Sequence, residues 1–227
     1  MVRVKVCGIT SIRDAATAVE LGADAIGFIF TSSPRQVTLQ KARNIVDTLP
    51  PFVQTAGVFA DEDITVIRHI VDFCGLDMIQ LHGIESPDFC RNLMPRSIKA
   101  FRLEDASSLL PMKHYKGKVR ALLLDTYVKG IKGGTGEAFD WNLAVRGKDL
   151  GIPVILSGGL GPSNIQKAVS MVRPFAVDVN SGVEECPGIK NPDLIRKVME
   201  RIRTTDIEND TEDGPTLLRK FRRGLYT

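Results

Sequence analysis

The stretch "VRVKVCGIT", residues 2–10, alternates valines with basic residues and then sets a cysteine directly before a glycine. Val2, Val4 and Val6 recur at period two, as in an extended strand whose successive side chains point to opposite faces. Gly8 interrupts that pattern, so Cys7 stands at the C-terminal end of the strand. A cysteine in that place is either core filler or a chemical group, and the rest of the chain has to decide.

Outward from this stretch, short apolar runs alternate with longer amphipathic ones. The spacing predicts strands over 2–7, 24–30, 54–59, 77–81, 97–102, 119–125, 152–157 and 174–180. Several are almost continuously apolar, as expected of parallel strands covered on both faces. Helical periodicity falls between them, over 12–22, 38–48, 62–74, 86–94, 105–111, 140–148, 162–172 and 191–203, the fifth being short. Ser11 with Asp14 has the form of a capping box, and Gly22 and Gly75 stand where helices should stop. Eight strands, each followed by a helix, is the count that closes a (β/α)8 TIM barrel. An open doubly wound sheet is the alternative, but it would tend to carry G-x-G-x-x-G after its first strand, and "CGITSI" (7–12) is not that. No boundary is visible before 204, so residues 1–204 are expected to form a single α/β barrel domain.

From 205 to 227 the character changes. "TTDIENDTEDG" (204–214) is acidic and poor in apolar residues, a composition that does not order itself. The basic "PTLLRKFRRGLYT" (215–227) follows, with Leu217, Leu218, Phe221 and Leu225 near helical spacing. This charged tail, with a short basic helix in it, is either frayed or docked on the barrel, or it faces a partner or membrane surface.

Composition narrows the function classes. Of 227 residues, 43% are apolar and 25% charged, and the net charge of +3 is too small for a nucleic-acid binder. No apolar run is long enough to cross a bilayer. The first residues lead straight into a strand, without the apolar region of a secretory signal. Cys7, Cys74, Cys90 and Cys186 lack any C-x-x-C spacing, which argues against a zinc site or a disulfide scaffold. The expectation is a cytoplasmic, reduced, metal-free protein.

In a barrel the chemistry gathers at the C-terminal ends of the strands. There the sequence sets Cys7 after strand one, Arg35 in "TSSPR" after strand two, His82 in "QLHG" after strand four and Asp125 in "LLLDT" after strand six. Gly158 and Gly159 follow strand seven, and Ser181 and Gly182 follow strand eight. Two glycine-bearing loops in these places are a frequent phosphate site, because glycine lets backbone amides approach an anion. A thiolate acts as a general base when nearby positive potential lowers its pKa, and Arg35 and the loop amides would supply some of that potential. Partial burial of Asp125 would raise its pKa and let it hold a proton; a capping residue is the plainer reading. Arg35 is either a solvated charge or a carboxylate clamp. His82 is a proton carrier, a hydrogen-bond donor or a core residue; no neighbour stands at metal-ligand spacing.

In order along the chain stand "KVCGIT", "GFIFTSSPR", "GVF", "IQLHG", "LLLDT", "GGTGEAFDW", "ILSGGL" with Asn164 downstream, "VDVNSGVE" and "PGIK". Together, over about residues 2–200, they closely resemble the phosphoribosylanthranilate isomerase family of tryptophan biosynthesis. The resemblance implies an Amadori rearrangement of N-(5-phosphoribosyl)anthranilate without metal or organic cofactor. It implies Asp125 as general acid on the ribose ring oxygen and Cys7 as general base at C2. It further implies Arg35 on the anthranilate carboxylate, His82 lining the pocket and Asp178 on a sugar hydroxyl. Amides around Gly158, Gly159, Ser181 and Gly182 would hold the phosphate, and "GGTGEAFDW" (133–141) would close over a small phosphorylated substrate. The implied partner is that substrate alone, with no nucleic acid or membrane, in a monomer or homodimer. Ser157, Asn180 and the pair Lys190-Asn191 depart from the family pattern, where alanine, serine and Lys-Asp are usual. Rival readings are a metal-dependent epimerase, for which His69, His82 and His114 do not make a ligand set, a lysine-dependent synthase, whose Lys5 would sit inside strand one, and a non-catalytic phosphate binder.

Overall fold

The computed structural model describes residues 1–125 and 141–213, with side chains through Glu208. The apolar runs form strands β1 (Arg3–Val6), β2 (Ala25–Ile29), β3 (Gln54–Phe59), β4 (Met78–Leu81), β5 (Ser97–Arg102), β6 (Ala121–Asp125), β7 (Val154–Ser157) and β8 (Ala176–Val179). All pair in parallel in sequence order, and β8 returns to β1 through Arg3↔Ala176 to Val6↔Val179, so the sheet is a closed barrel. Closure removes both sheet edges. The TIM barrel expected from the strand count is therefore the fold.

The surrounding helices are α1 (Ile12–Glu20), α2 (Leu39–Val46), α3 (Ile64–Cys74), α4 (Pro87–Arg91), α5 (Trp141–Gly147), α6 (Ile165–Val172) and α7 (Pro192–Asp213). Where 105–111 is predicted as a helix, two 3-10 turns stand instead, at Ala106–Leu109 and Pro111–Tyr115. Pro111 lacks the amide that a continuing helix needs there, and the chain restarts its turn at that residue. α6 shows why the helices dock: Ile165, Ala168, Val169 and Val172 form one buried stripe at helical spacing. Each buried Val or Ile in such a stripe contributes about 1.5–3 kcal/mol. Ser11 caps α1 by accepting from the Asp14 amide (3.0 Å), and Gly75 ends α3 in a left-handed conformation. The Asp14 carboxylate turns outward from its own helix and accepts from the Lys190 amide (3.2 Å). That amide belongs to a small antiparallel ribbon, β9 (Glu184–Cys186) with β10 (Ile189–Lys190), between β8 and α7.

Inside the ring the side chains are layered. Ile98, Ala100, Ala121, Leu123, Ile155 and Ala176 make an apolar plug. Lys5, Gln80 and Asp178, all buried, form a polar layer, and Cys7 lies with Ile29 and Val58. Register explains the polar layer: Lys5 is the partner of Asp178 across β1 and β8, so both side chains enter the interior side by side.

The last helix runs ten residues beyond its expected end at 203, to Asp213. Thr205 is fully buried, and Asp206, 8% exposed, accepts from the Val2 amide through Oδ2 (2.8 Å). Composition alone hid this, because a single carboxylate that satisfies an amide just ahead of β1 orders a segment with few apolar residues. Asp206→Ala is expected to destabilise the protein by about 1–3 kcal/mol, through an orphaned amide and the loss of a charge-assisted bond. Denaturant unfolding would test this, and an unchanged midpoint would show the contact to be idle. Residues 214–227, with Leu217, Leu218, Phe221 and Leu225, lie outside the described residues.

Candidate active site

Strand geometry brings the expected residues to one mouth of the barrel. Cys7 follows β1, His82 follows β4 and Asp125 is the last residue of β6. Arg35 reaches the mouth from the β2–α2 connection, Gly158 and Gly159 follow β7, and Ser181 and Gly182 begin a 3-10 turn after β8. Asp178 is deeper, within β8 and 5% exposed.

The Cys7 amide donates to the Val179 carbonyl (2.9 Å), which fixes the thiol against β8. Gly27 on the neighbouring strand makes room for it: a Cβ there would lie 2.7 Å from Cys7 Sγ and 2.9 Å from Lys5 Cε. The thiol and the lysine stem thus share one wedge. Lys5 Nζ donates to Asp178 Oδ2 (2.9 Å) and to Gln80 Oε1 (2.8 Å). Burial pulls the Lys5 pKa down, but Asp178 and Cys7 outweigh it, and the net shift is upward. Lys5 therefore stays charged in the core. The Cys7 pKa is raised, first by burial and then by the Asp178 carboxylate, against the opposing pull of Lys5 and Lys190. This reverses the sequence expectation of a thiol pKa lowered by Arg35 and loop amides. The 4% exposure of Cys7 and the acidic group beneath it are the reason.

His82 Nδ1 is 3.1 Å from Gln80 Nε2, and its Nε2 is 3.8 Å from Asp125 Oδ2. The His82 and Asp125 side chains are 37% and 20% exposed, so this edge of the site opens to solvent. The Asp178 carboxylate spends Oδ2 on Lys5, while Oδ1 is buried without a hydrogen-bond partner among the described residues. A buried acceptor of that kind calls for a donor from beyond the described residues.

Arg35 is not a solvated charge. Its Nε and Nη2 grip Glu184 bidentately, at 2.8 and 2.6 Å, which also holds Arg35 above its ordinary pKa. Lys190, 3% exposed, donates to the same carboxylate (2.8 Å) and to Asn180 Oδ1 (2.9 Å). Two cations share one carboxylate, leaving the cluster with a net positive charge beside the pocket. Only the guanidinium end away from Glu184 can meet a further anion.

The β7 and β8 loops are built on each other's backbone. Gly158 and Gly159 have φ of 101° and 62°, open to glycine and rare elsewhere. A Cβ on Gly182 would collide with the Leu160 carbonyl oxygen. Asn164 braces the first loop, accepting from the Gly161 amide (2.9 Å) and donating to the Gly159 carbonyl (3.0 Å). Successive amides turned this way make a concavity suited to an anion. The expected closing segment 133–141 lies outside the described residues except for Trp141, the first residue of α5.

Gln80, Glu184, Lys190 and Gly161 escaped the sequence reading, and Lys5 was set aside as lying inside its strand. The period of a strand was the available signal for Gln80, which sits two residues before His82 and therefore on the same face. Glu184 and Lys190 stood in the quoted motifs, but their pairing, six residues apart, depends on the chain folding back as the ribbon.

Among the described residues, no group of three or more His, Cys, Asp or Glu could hold a metal ion, and no helix is long and apolar enough to cross a membrane. The fold is a TIM barrel, and its polar mouth carries a thiol and a carboxyl group at the same end as two glycine-bearing loops. Comparison with known proteins is specific. The model of the family "N-(5'phosphoribosyl)anthranilate (PRA) isomerase" matches residues 4–201, and the chain belongs to that family. It is 50% identical over 202 residues to the N-(5'-phosphoribosyl)anthranilate isomerase of Geobacter metallireducens, covering 88% of this chain and 98% of that one. A crystal structure of a phosphoribosyl anthranilate isomerase in complex with reduced 1-(o-carboxyphenylamino)-1-deoxyribulose 5-phosphate is 39% identical. It covers 90% of this chain and 100% of that one, with a TM-score of 0.81. Monomers generated from the dimeric enzyme of Thermotoga maritima are 38% identical, with the same coverage and a TM-score of 0.80.

Proposed function

We propose that this chain converts N-(5-phosphoribosyl)anthranilate into 1-(2-carboxyphenylamino)-1-deoxyribulose 5-phosphate, an Amadori rearrangement in tryptophan biosynthesis, by general acid–base catalysis without a cofactor. The observation that carries the reading is the presence of Cys7 and Asp125 at strand ends on one mouth, with β7 and β8 between them on the short side of the ring. A sugar phosphate anchored at the β7 and β8 loops would lie between the two groups, which are then held in place for reaction.

Asp125 gives a proton to the ribose ring oxygen, and the ring opens to an imine. Cys7 takes the proton from C2, and the resulting enolamine tautomerises to the ketone. Amides around Gly158, Gly159, Ser181 and Gly182 hold the phosphate, and the unpaired Oδ1 of Asp178 accepts from a sugar hydroxyl. His82 lines the pocket, and Arg35 meets the anthranilate carboxylate with the end that Glu184 leaves available. The activity resides in the barrel domain, which α7 carries past the expected boundary at 204, in the cytoplasm, as a monomer or homodimer that binds one phosphorylated small molecule and neither nucleic acid nor membrane.

The test is direct conversion of the substrate by the purified chain, paired with rescue of a tryptophan auxotroph that lacks this step. Failure of both would sink the assignment. Arg35→Ala is expected to raise KM roughly 10–100-fold with a smaller change in kcat, the scale of one charge-assisted contact. Glu184→Gln should move KM the same way by loosening the guanidinium. An unchanged KM in both variants would remove the carboxylate clamp from the scheme.

A further inference from the structure

The polar layer beneath the pocket contains a chain of hydrogen bonds whose direction can be worked out residue by residue. Lys5 Nζ carries hydrogens only and cannot accept. It is anchored on one side by Asp178 Oδ2 (2.9 Å) and on the other by Gln80 (2.8 Å). The amide of Gln80 must therefore turn its oxygen to Lys5, which leaves its NH2 group toward His82. That group, likewise only a donor, lies 3.1 Å from His82 Nδ1. Nδ1 must then accept, and a neutral imidazole that accepts at Nδ1 carries its proton on Nε2. Nε2 is the nitrogen that faces Asp125 Oδ2 at 3.8 Å. That distance is too long for a hydrogen bond, and catalytic contacts of this kind often tighten only in the substrate complex.

We propose that Gln80 is a positioning residue that fixes His82 as the Nε2–H tautomer and thereby aims a hydrogen-bond donor at Asp125. Such a donor stabilises the carboxylate that remains once Asp125 has given up its proton, so it favours the transfer. The opposite tautomer would present a lone pair to the carboxylate and oppose the same step. The effect on rate rests on the isomerase reading given above; the tautomer itself does not.

The experiment is ¹⁵N NMR of the full chain labelled at histidine, at about pH 8 where an ordinary imidazole is neutral, with His82→Asn identifying the His82 signals. Wild type should show protonated Nε2 and bare Nδ1. In Gln80→Glu a carboxylate replaces the NH2 donor, so the proton should move to Nδ1, and kcat should fall by about tenfold or more with a smaller change in KM. In Gln80→Met, which keeps the length and removes the polar atoms, the single form should give way to a mixture, with an intermediate kcat. This second variant serves if the buried glutamate compromises folding. A wild-type signal with the proton on Nδ1, or a Gln80→Met protein that keeps the pure Nε2–H form, overturns the proposal. A Gln80→Glu protein that switches tautomer at full kcat overturns it as well. The assigned tautomer in a wild-type chain without turnover would support the positioning by Gln80 and overturn the isomerase reading alone.

Discussion

Cys7→Ala is expected to lower kcat by about 10²–10⁴-fold, the span that a positioned general base contributes, while the protein keeps its fold. Folding should survive because the thiol belongs with Ile29 and Val58 to a small apolar cluster apart from the main core. Losing one sulfur there leaves a void worth about 1 kcal/mol. Substrate binding should change little, since the contacts proposed for the phosphate and the carboxylate lie elsewhere. Cys7→Ser is the sharper variant: it keeps a polar group of similar size, but a hydroxyl is a far poorer base, so activity should stay near the alanine level. Turnover close to wild type in either protein would remove Cys7 from the chemistry and return it to the role of core filler.

The second large effect is expected at Asp125. Asp125→Asn keeps the shape and removes the transferable proton, and kcat should again fall by about 10²–10⁴-fold. The pH profile carries independent information. The Cys7 pKa lies above its ordinary 9.0 in the folded chain, because burial and Asp178 disfavour the thiolate. Below that pKa the ionised fraction grows about tenfold per pH unit. In Asp125→Asn the ionisation of Cys7 alone should govern what rate remains, so the residual rate should climb with pH across roughly 7–9. Full activity in the variant, or a residual rate that falls over this window, would count against the assigned pair.

Much of the fold could be read from the chain because closed parallel barrels write themselves locally. Each apolar run is a strand, each amphipathic run a helix, and the count of eight does the rest. The fifth crossover failed this reading because Pro111 breaks a segment too short to show clear periodicity. The end of α7 failed it because Asp206 orders its surroundings through a contact with Val2, 204 residues away. For the site, strand ends pointed to Cys7, His82 and Asp125, since their position follows from local pattern alone. The charge state of Cys7 did not follow, because it depends on Asp178 and Lys5, which only the register of β1 with β8 brings together. The sequence left Arg35 open between a solvated charge and a carboxylate clamp, and its tie to Glu184 spans 149 positions. Contacts of that length have no local signature.

The bond from Asp206 to the Val2 amide has a practical consequence for anyone who rebuilds this protein. It sets the Asp206 turn of α7 beside the start of β1, at the N-terminal pole, while Cys7 and Asp125 open at the other. A short linker joining these two segments, with new termini cut in an exposed connection elsewhere, would give a permuted chain with an unobstructed mouth. A partner protein appended behind α7 would likewise hang from the floor. Trimming at 204 would remove the bolt that secures the first strand.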